Sequence, residues 1–469
     1  MATSESDIPW DLLTSNFSFA SSYPDHENVT DFFQRKRPDQ GRDLNKFVEF
    51  LSEILAGSAA RERQKFPDRY EAAASDEVVI TDSDALKIAP HMRRHHLKYS
   101  MDERHYEKQG CPVSLCTHVG DTECLCALRF EERRMSSFLH RFSGGYECYA
   151  FDRTDRDSFL GQELLKTILV YGDMDTVLRI CAHPDVDFLA WWNACQCQCI
   201  QPDLGWDLLI QDALPAYIGL RFIQSFSNIW ERGPGDVGPK PDFRQTRMYQ
   251  GMVRNSTMSG YKSGIPSYLH KKFFGIQDGQ FNNYPELRDK DRWRVDQDRG
   301  HSGYQLILGR VPYDEFLEVE KEVPYMPSSE EVEEVRSALF AQGLPAELTD
   351  IILELAEYHG ERRALEVPHD PFHEKNREQL DRYLRECWKV LMRCDMMARA
   401  LGDKVPWDVL IGRHIFDLFR DLEGSTKLSS EYESNADEPV VDDWQTIRKR
   451  AWERGDRLRF DEYYKTVFL

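Results

Sequence analysis

The stretch NREQLDRYLRECWKVLMRCDMMARALG, Asn376 to Gly402, decides the fold class. Leu380, Leu384, Cys387/Trp388, Leu391, Cys394/Asp395 and Ala398 recur at three- and four-residue steps, with Arg, Glu and Lys between them. That period collects the apolar side chains on one stripe of a long α-helix. Gly402 stands where a left-handed residue would end it. Just downstream, Pro406 opens a second helix through Leu410, His414, Phe416 and Phe419. Just upstream, Ser328 and Glu331 form a capping box for a helix to about Gln342, and Gly343 closes it. Pro345 then starts a helix through Leu348, Ile351, Ile352 and Leu355 to Tyr358.

The same periodicity recurs towards the amino terminus. Leu44, Phe47, Val48, Leu51 and Leu55 predict a helix from Arg42, with Gly57 at its expected stop. Asp84, Ala85, Ile88 and Met92 predict another, interrupted at Pro90. Ser158 to Cys181 reads as a helical hairpin turning at Gly172-Asp173, and Leu164 to Cys181 is similar to a single ankyrin repeat without neighbours at the repeat period. Pro9-Trp10-Asp11-Leu12-Leu13, Trp206-Asp207-Leu208-Leu209 and Pro406-Trp407-Asp408-Val409-Leu410 share one pattern, which reads as helix initiation. Residues 1–40 show no steady period. Tyr146–Phe151 is a candidate strand, and 275–303 reads as a long loop. The expected architecture is mainly α, an irregular multi-helix protein with a few short strands in the middle region. It divides into an N-terminal helical region at 1–100, a central Cys/Trp-rich mixed region at 101–325 and a C-terminal helical region at 326–469. The last contains an acidic linker at 429–443, and an amphipathic basic and aromatic stretch from Trp444 to Phe468 follows it.

Composition narrows the function classes. The 469 residues carry a formal charge of −21, which repels phosphate backbones and argues against general nucleic-acid binding. No apolar run reaches the ~18 residues a membrane-spanning helix needs. The amino terminus lacks a basic start followed by an apolar core, and the 11 cysteines are unevenly spaced, so the expectation is reduced thiols in a cytoplasmic or nuclear protein. There is no G-x-S-x-G elbow, no Walker A loop and no G-x-G-x-x-G opening a helix; the run GPGDVG at 233–238 reads as a loop.

Two constellations remain as candidate sites. Cys116, His118, Cys124 and Cys126 flank the turn Val119-Gly120-Asp121-Thr122. A three-residue loop would put all four on one face of a hairpin, as a Cys3His zinc set. A two-residue loop would split them between opposite faces. Cys111 and His105 are substitute ligands, zinc is the one candidate cofactor, and buried free thiols are the alternative. Cys195, Cys197 and Cys199, the basic patch His91–Lys98, and His369 with His373 carry no ligand template; Asp370 is expected to help cap the helix that follows.

The second constellation is Leu344-Pro345-Ala346-Glu347-Leu348 with Ile351, Ile352 and Leu355, which resembles the opening helix of an F-box. In that family the Leu-Pro-x-Glu-Leu helix packs into a Skp1-type adaptor. The resemblance implies that Leu344, Pro345, Glu347, Leu348 and Ile352 contact a protein partner, with Cys387-Trp388 echoing a later Cys/Trp pair. The separation of Pro345 from Trp388 exceeds that of a compact F-box. More broadly, the carboxyl-terminal half is similar to uncharacterised helical proteins of filamentous fungi. The expected function is an intracellular protein-interaction or adaptor protein, with a metal-binding protein or enzyme built on residues 105–126 as the alternative. Burial separates docking from mere packing. Most apolar stripes at helical spacing are core, which favours Leu344, Leu348 and Ile352 packing on the helix that carries Leu384, Trp388 and Leu391.

Overall fold

The computed structural model of the chain describes residues 5–20, 30–34, 40–89, 92, 128, 131–139, 156–186, 188, 205–226, 241–257, 268–276, 280–281, 308–318, 329–355 and 364–419. Helices dominate them: α1 Trp10–Thr14, α2 Gln40–Arg63, α3 Arg156–Tyr171, α4 Met174–Cys181, α5 Asp207–Gln224, α6 Arg247–Thr257, α7 Tyr268–Phe274, α8 Tyr313–Glu318, α9 Ser329–Ala341, α10 Ala346–Leu355, α11 Arg377–Ala400 and α12 Trp407–Phe419. No helix among the described residues is long and apolar enough to cross a membrane.

Helix α11 follows the pattern of its sequence. Leu380, Leu384, Cys387, Leu391, Cys394 and Ala398 are buried, and the stripe faces α5 and α2. Asp395 lies within that stripe because both its oxygens are occupied: Trp407 Nε1 donates to one at 2.9 Å and Arg399 Nε to the other at 2.5 Å. Buried charge is tolerated when so partnered. At the C-terminal end Gly402 adopts φ +75°, Gly402 N–H reaches Arg399 O at 3.1 Å, and Asp403 N–H reaches Ala398 O at 2.8 Å. Those bonds take up carbonyls that the last turn leaves open.

The partner of α11 is apolar on nearly every side. Leu209, Ile210, Ala213, Leu214, Tyr217, Ile218, Leu220, Phe222 and Ile223 of α5 are all buried, the pattern of a central helix rather than a surface one. Gly219 lets α6 approach, since a Cβ there would collide with Met252 Sδ. Around α5 lie α1, α6, α7, α11 and α12. All three Trp-Asp patterns begin helices, α1, α5 and α12, and Trp206 and Trp407 are buried. The turn at Gly172-Asp173 also forms, with the Asp173 carboxylate accepting from Asp175 N–H at 2.9 Å to cap α4.

One expectation needs correction. Helix α2 does not stop at Gly57 but runs on to Arg63. A helical glycine costs roughly 1 kcal/mol, and the buried Ala59 lies in the extra turn. The one sheet among the described residues lies at the amino terminus, in a stretch without a steady sequence period. It pairs β1 Phe17–Ala20 antiparallel with β2 Asp31–Gln34, with Phe19 opposite Phe32. Phe17 meets Phe419 at 4.3 Å between ring centres and Phe32 meets Phe222 at 4.8 Å, so aromatic packing on α5 and α12 holds the strands. Asp31 completes the attachment by accepting from Arg247 Nε at 2.6 Å and from Met248 N–H at 3.1 Å. Four-residue strands with so few inward aromatics show too little alternation to read. The candidate strand Tyr146–Phe151 lies outside the described residues.

Candidate functional site

The sequence places α9 and α10 in a tight hairpin. Gly343, at φ +81°, ends α9, with Gly343 N–H donating to Phe340 O at 2.9 Å and Leu344 N–H to Leu339 O at 3.2 Å. Residues with a Cβ resist that backbone region. Pro345 O accepts from the N–H and the hydroxyl of Thr349, at 3.0 and 3.1 Å, which starts α10. Arg336 of α9 crosses to Asp350 of α10 at 2.8 Å. Val332, Thr349 and Leu353 are buried, yet neither Val332 nor Leu353 belongs to the hydrophobic cluster that unites the rest of the helices.

What the hairpin leaves outside is apolar. Val335 is 47% exposed, Phe340 48%, Leu348 46%, Ile351 48% and Ile352 39%. Among the described residues the other large apolar side chains so exposed are Phe50 and Leu86. Leu348, Ile351 and Ile352 sit at i, i+3 and i+4 and so form one stripe. Glu333, Glu334, Glu347 and Asp350 are exposed on the same two helices. An exposed apolar stripe of this kind marks interaction sites.

The expectation that these residues pack on α11 is therefore corrected. Leu348 and Ile352 are exposed, Pro345 and Glu347 are exposed, and Leu344 is half-buried. The inner face of α11 is already covered by α5 and α2, and Trp388 lies 5.3 Å from the Tyr217 ring. Cys387 is buried and Trp388 packs against the core, so this pair is part of the scaffold. Sequence reading missed Val335 and Phe340 as surface residues. Their place on the helix preceding the Leu-Pro-x-Glu-Leu motif was the available signal.

Cys116, His118, Cys124 and Cys126, with Cys111 and His105, lie outside the described residues, as do Cys195, Cys197 and Cys199. Among the described residues no group of three or more His, Cys, Asp or Glu could hold a metal ion. His369 Nδ1 lies 3.0 Å from the Phe274 carbonyl it can donate to, and His373 Nδ1 accepts from Lys375 N–H at 3.2 Å. His373, rather than Asp370, supplies the side-chain cap of the turn leading into α11. Burial pushes the Cys181 and Cys387 thiols up to about 12, the direction that removes nucleophilic thiolate.

A polar cluster inside the helices went unseen in the sequence. Glu163 and Lys166 of α3 are fully buried as an ion pair. Lys271 of α7 is buried, and Asp212 of α5 interacts electrostatically with both lysines. Desolvation holds the Asp212 carboxyl well above the usual carboxylate range against the pull of those lysines. Asp212 nevertheless keeps part of its surface accessible. His270 Nδ1 lies 2.5 Å from Tyr383 Oη, and burial pushes the imidazole down to about 3, so it is neutral at ordinary pH. The phenol of Tyr383 is held up by the same burial. The cluster thus pairs its charges internally and keeps its histidine and phenol uncharged, which suits a specifying core network.

The family described as Gramillins biosynthetic cluster protein GRA5 matches residues 11–431 of the chain. No curated protein matches it. No solved structure matches it.

Proposed function

The chain belongs to the gramillins biosynthetic cluster protein GRA5 family, and from that premise we propose that it is a protein-interaction or adaptor subunit acting inside the cell, in the cytoplasm or nucleus. The observation that carries this reading is the α9–α10 hairpin, where five large apolar side chains stand open on two short helices outside the main core. Burying such a patch contributes roughly 25 cal/mol per Å² of apolar area, so a partner that covers it gains without reorganising the core. Membership of a biosynthetic-cluster family favours, as the partner, another protein of such a cluster. A Skp1-type adaptor is the narrower candidate, supported by the exposure of Pro345, Glu347, Leu348 and Ile352.

The test is a photo-crosslinking amino acid placed at Ile351 in the producing cells, with Leu86, an exposed apolar residue elsewhere, as the control position. The expected result is a discrete adduct with a second protein at 351, absent at 86 and lost with Leu348→Asp. Equal adducts at both positions, or none at 351, would contradict it. Titrating purified Skp1-type adaptor onto the chain tests the narrower reading, which fails if the two do not bind at micromolar concentrations.

A further inference from the structure

The hairpin face has a charge as well as an apolar patch. Residues 329–355 contain seven Asp and Glu against a single Arg. That Arg, Arg336, is engaged by Asp350 at 2.8 Å and by Glu333 at 3.5 Å. Glu334 and Glu347 are exposed beside the patch. An occupant that fits must therefore bring apolar side chains flanked by cations, because an acidic or neutral segment would leave the carboxylates desolvated or repelled at the rim.

The sequence supplies such a segment. Residues 444–469, WQTIRKRAWERGDRLRFDEYYKTVFL, hold seven Lys and Arg against four Asp and Glu, in a chain whose formal charge is −21. Trp444, Trp452, Phe460, Tyr463, Tyr464 and Phe468 make the segment aromatic as well. The 24 residues from 420 to 443 separate it from the end of α12. Extended, they span up to about 80 Å, so reach does not limit docking. Tethering also raises the local concentration of the segment to the order of millimolar, which lets a weak contact form within one molecule.

We propose that residues 444–468 dock within the same molecule on the acid-flanked apolar stripe of Leu348, Ile351 and Ile352, so that the chain covers its own interaction surface. The docking stands on charge and chain length alone; its consequence, that a partner must displace the segment, rests on the interaction reading above. A partner that competes carries the same chemistry, aromatic or aliphatic side chains with Arg and Lys on the flanks.

The experiment uses the purified full-length chain with a photo-crosslinking amino acid at Ile351. Monomeric adducts are isolated and mapped by mass spectrometry. The expected adducts join position 351 to residues 444–468, and they fall as salt is raised from 0.05 to 0.5 M. Glu334→Lys with Glu347→Lys lowers their yield about tenfold, and so does Arg448→Glu with Lys449→Glu and Arg450→Glu. Combining the two sets restores it, a rescue that misfolding would not give. Adducts of doubled mass would assign the face to a second copy and overturn the proposal, as would adducts mapping elsewhere or a failure of the combined charges to restore them. If position 351 captures a second protein in cells but never residues 444–468 in the purified chain, this inference falls and the interaction reading stands. If it captures residues 444–468 in both settings and no second protein, the docking stands and the interaction reading falls.

Discussion

Helices α10 and α11 are near neighbours in sequence, and both carry an apolar stripe at helical spacing, yet they end in opposite environments. The stripe of α11 is sealed between α5 and α2. That of α10 shows Leu348, Ile351 and Ile352 to solvent. Period tells which residues share a face, but not what covers that face, because the cover comes from residues remote in sequence. For α11 the cover is α2 and a helix, α5, that is apolar on nearly every side; for α10 it is a short α9 whose own Val335 and Phe340 also face out.

The difference should appear first in stability. Leu384→Ala empties a fully buried site on α11 and is expected to cost about 2–5 kcal/mol in urea unfolding. A cost below about 1 kcal/mol would mean that this helix is not the core element described. Next is the clamp that sets the start of α11. Asn376 is buried, donates to Val367 O and Asp370 O, both at 2.7 Å, and accepts from Val367 N–H at 3.0 Å. Asn376→Ala leaves these backbone groups without that partner and is expected to cost about 2–3 kcal/mol by the same assay. Asn376→Asp, which cannot donate, should recover little of it.

Titration separates the regions further. Burial pushes both His270 and His414 down to about 3. An unfolded histidine takes up its proton near pH 6.5, whereas these two resist it, so the unfolded state binds more protons between those values and stability falls as pH drops through that window. Each contributes up to about 1.4 kcal/mol per pH unit there. Asp31 and Asp212, with carboxyls raised by desolvation, act in the opposite sense above the ordinary carboxylate value. The diagnostic is therefore the difference between the natural chain and His270→Gln over pH 6.5 to 4, which should show a shallower fall in the variant. Parallel curves would place His270 outside the core.

Much of the helical frame was legible because its determinants are local. The stripe of α11, Gly402 as its stop, Asp173 as a cap and the three Trp-Asp starts each depend on residues within a turn or two. The amino-terminal sheet was not legible, since Phe17 and Phe32 find their partners on Phe222 and Phe419. Nor was the polar cluster, whose Glu163, Lys166, Asp212, His270, Lys271 and Tyr383 come from four helices and share no spacing. Of the candidate site, Leu348 and Ile352 were named from their sequence, but their exposure depended on α11 being fully occupied elsewhere.

The smallest expected effect is the most direct test of whether the hairpin face is a surface held ready for a partner rather than a piece of core. In urea unfolding of the purified chain, Leu348→Asp should change stability by no more than about 0.5 kcal/mol, as exposed substitutions do. A loss of several kcal/mol, comparable with Leu384→Ala, would show that Leu348 is packed as part of the cooperatively folded core and would contradict the docking surface.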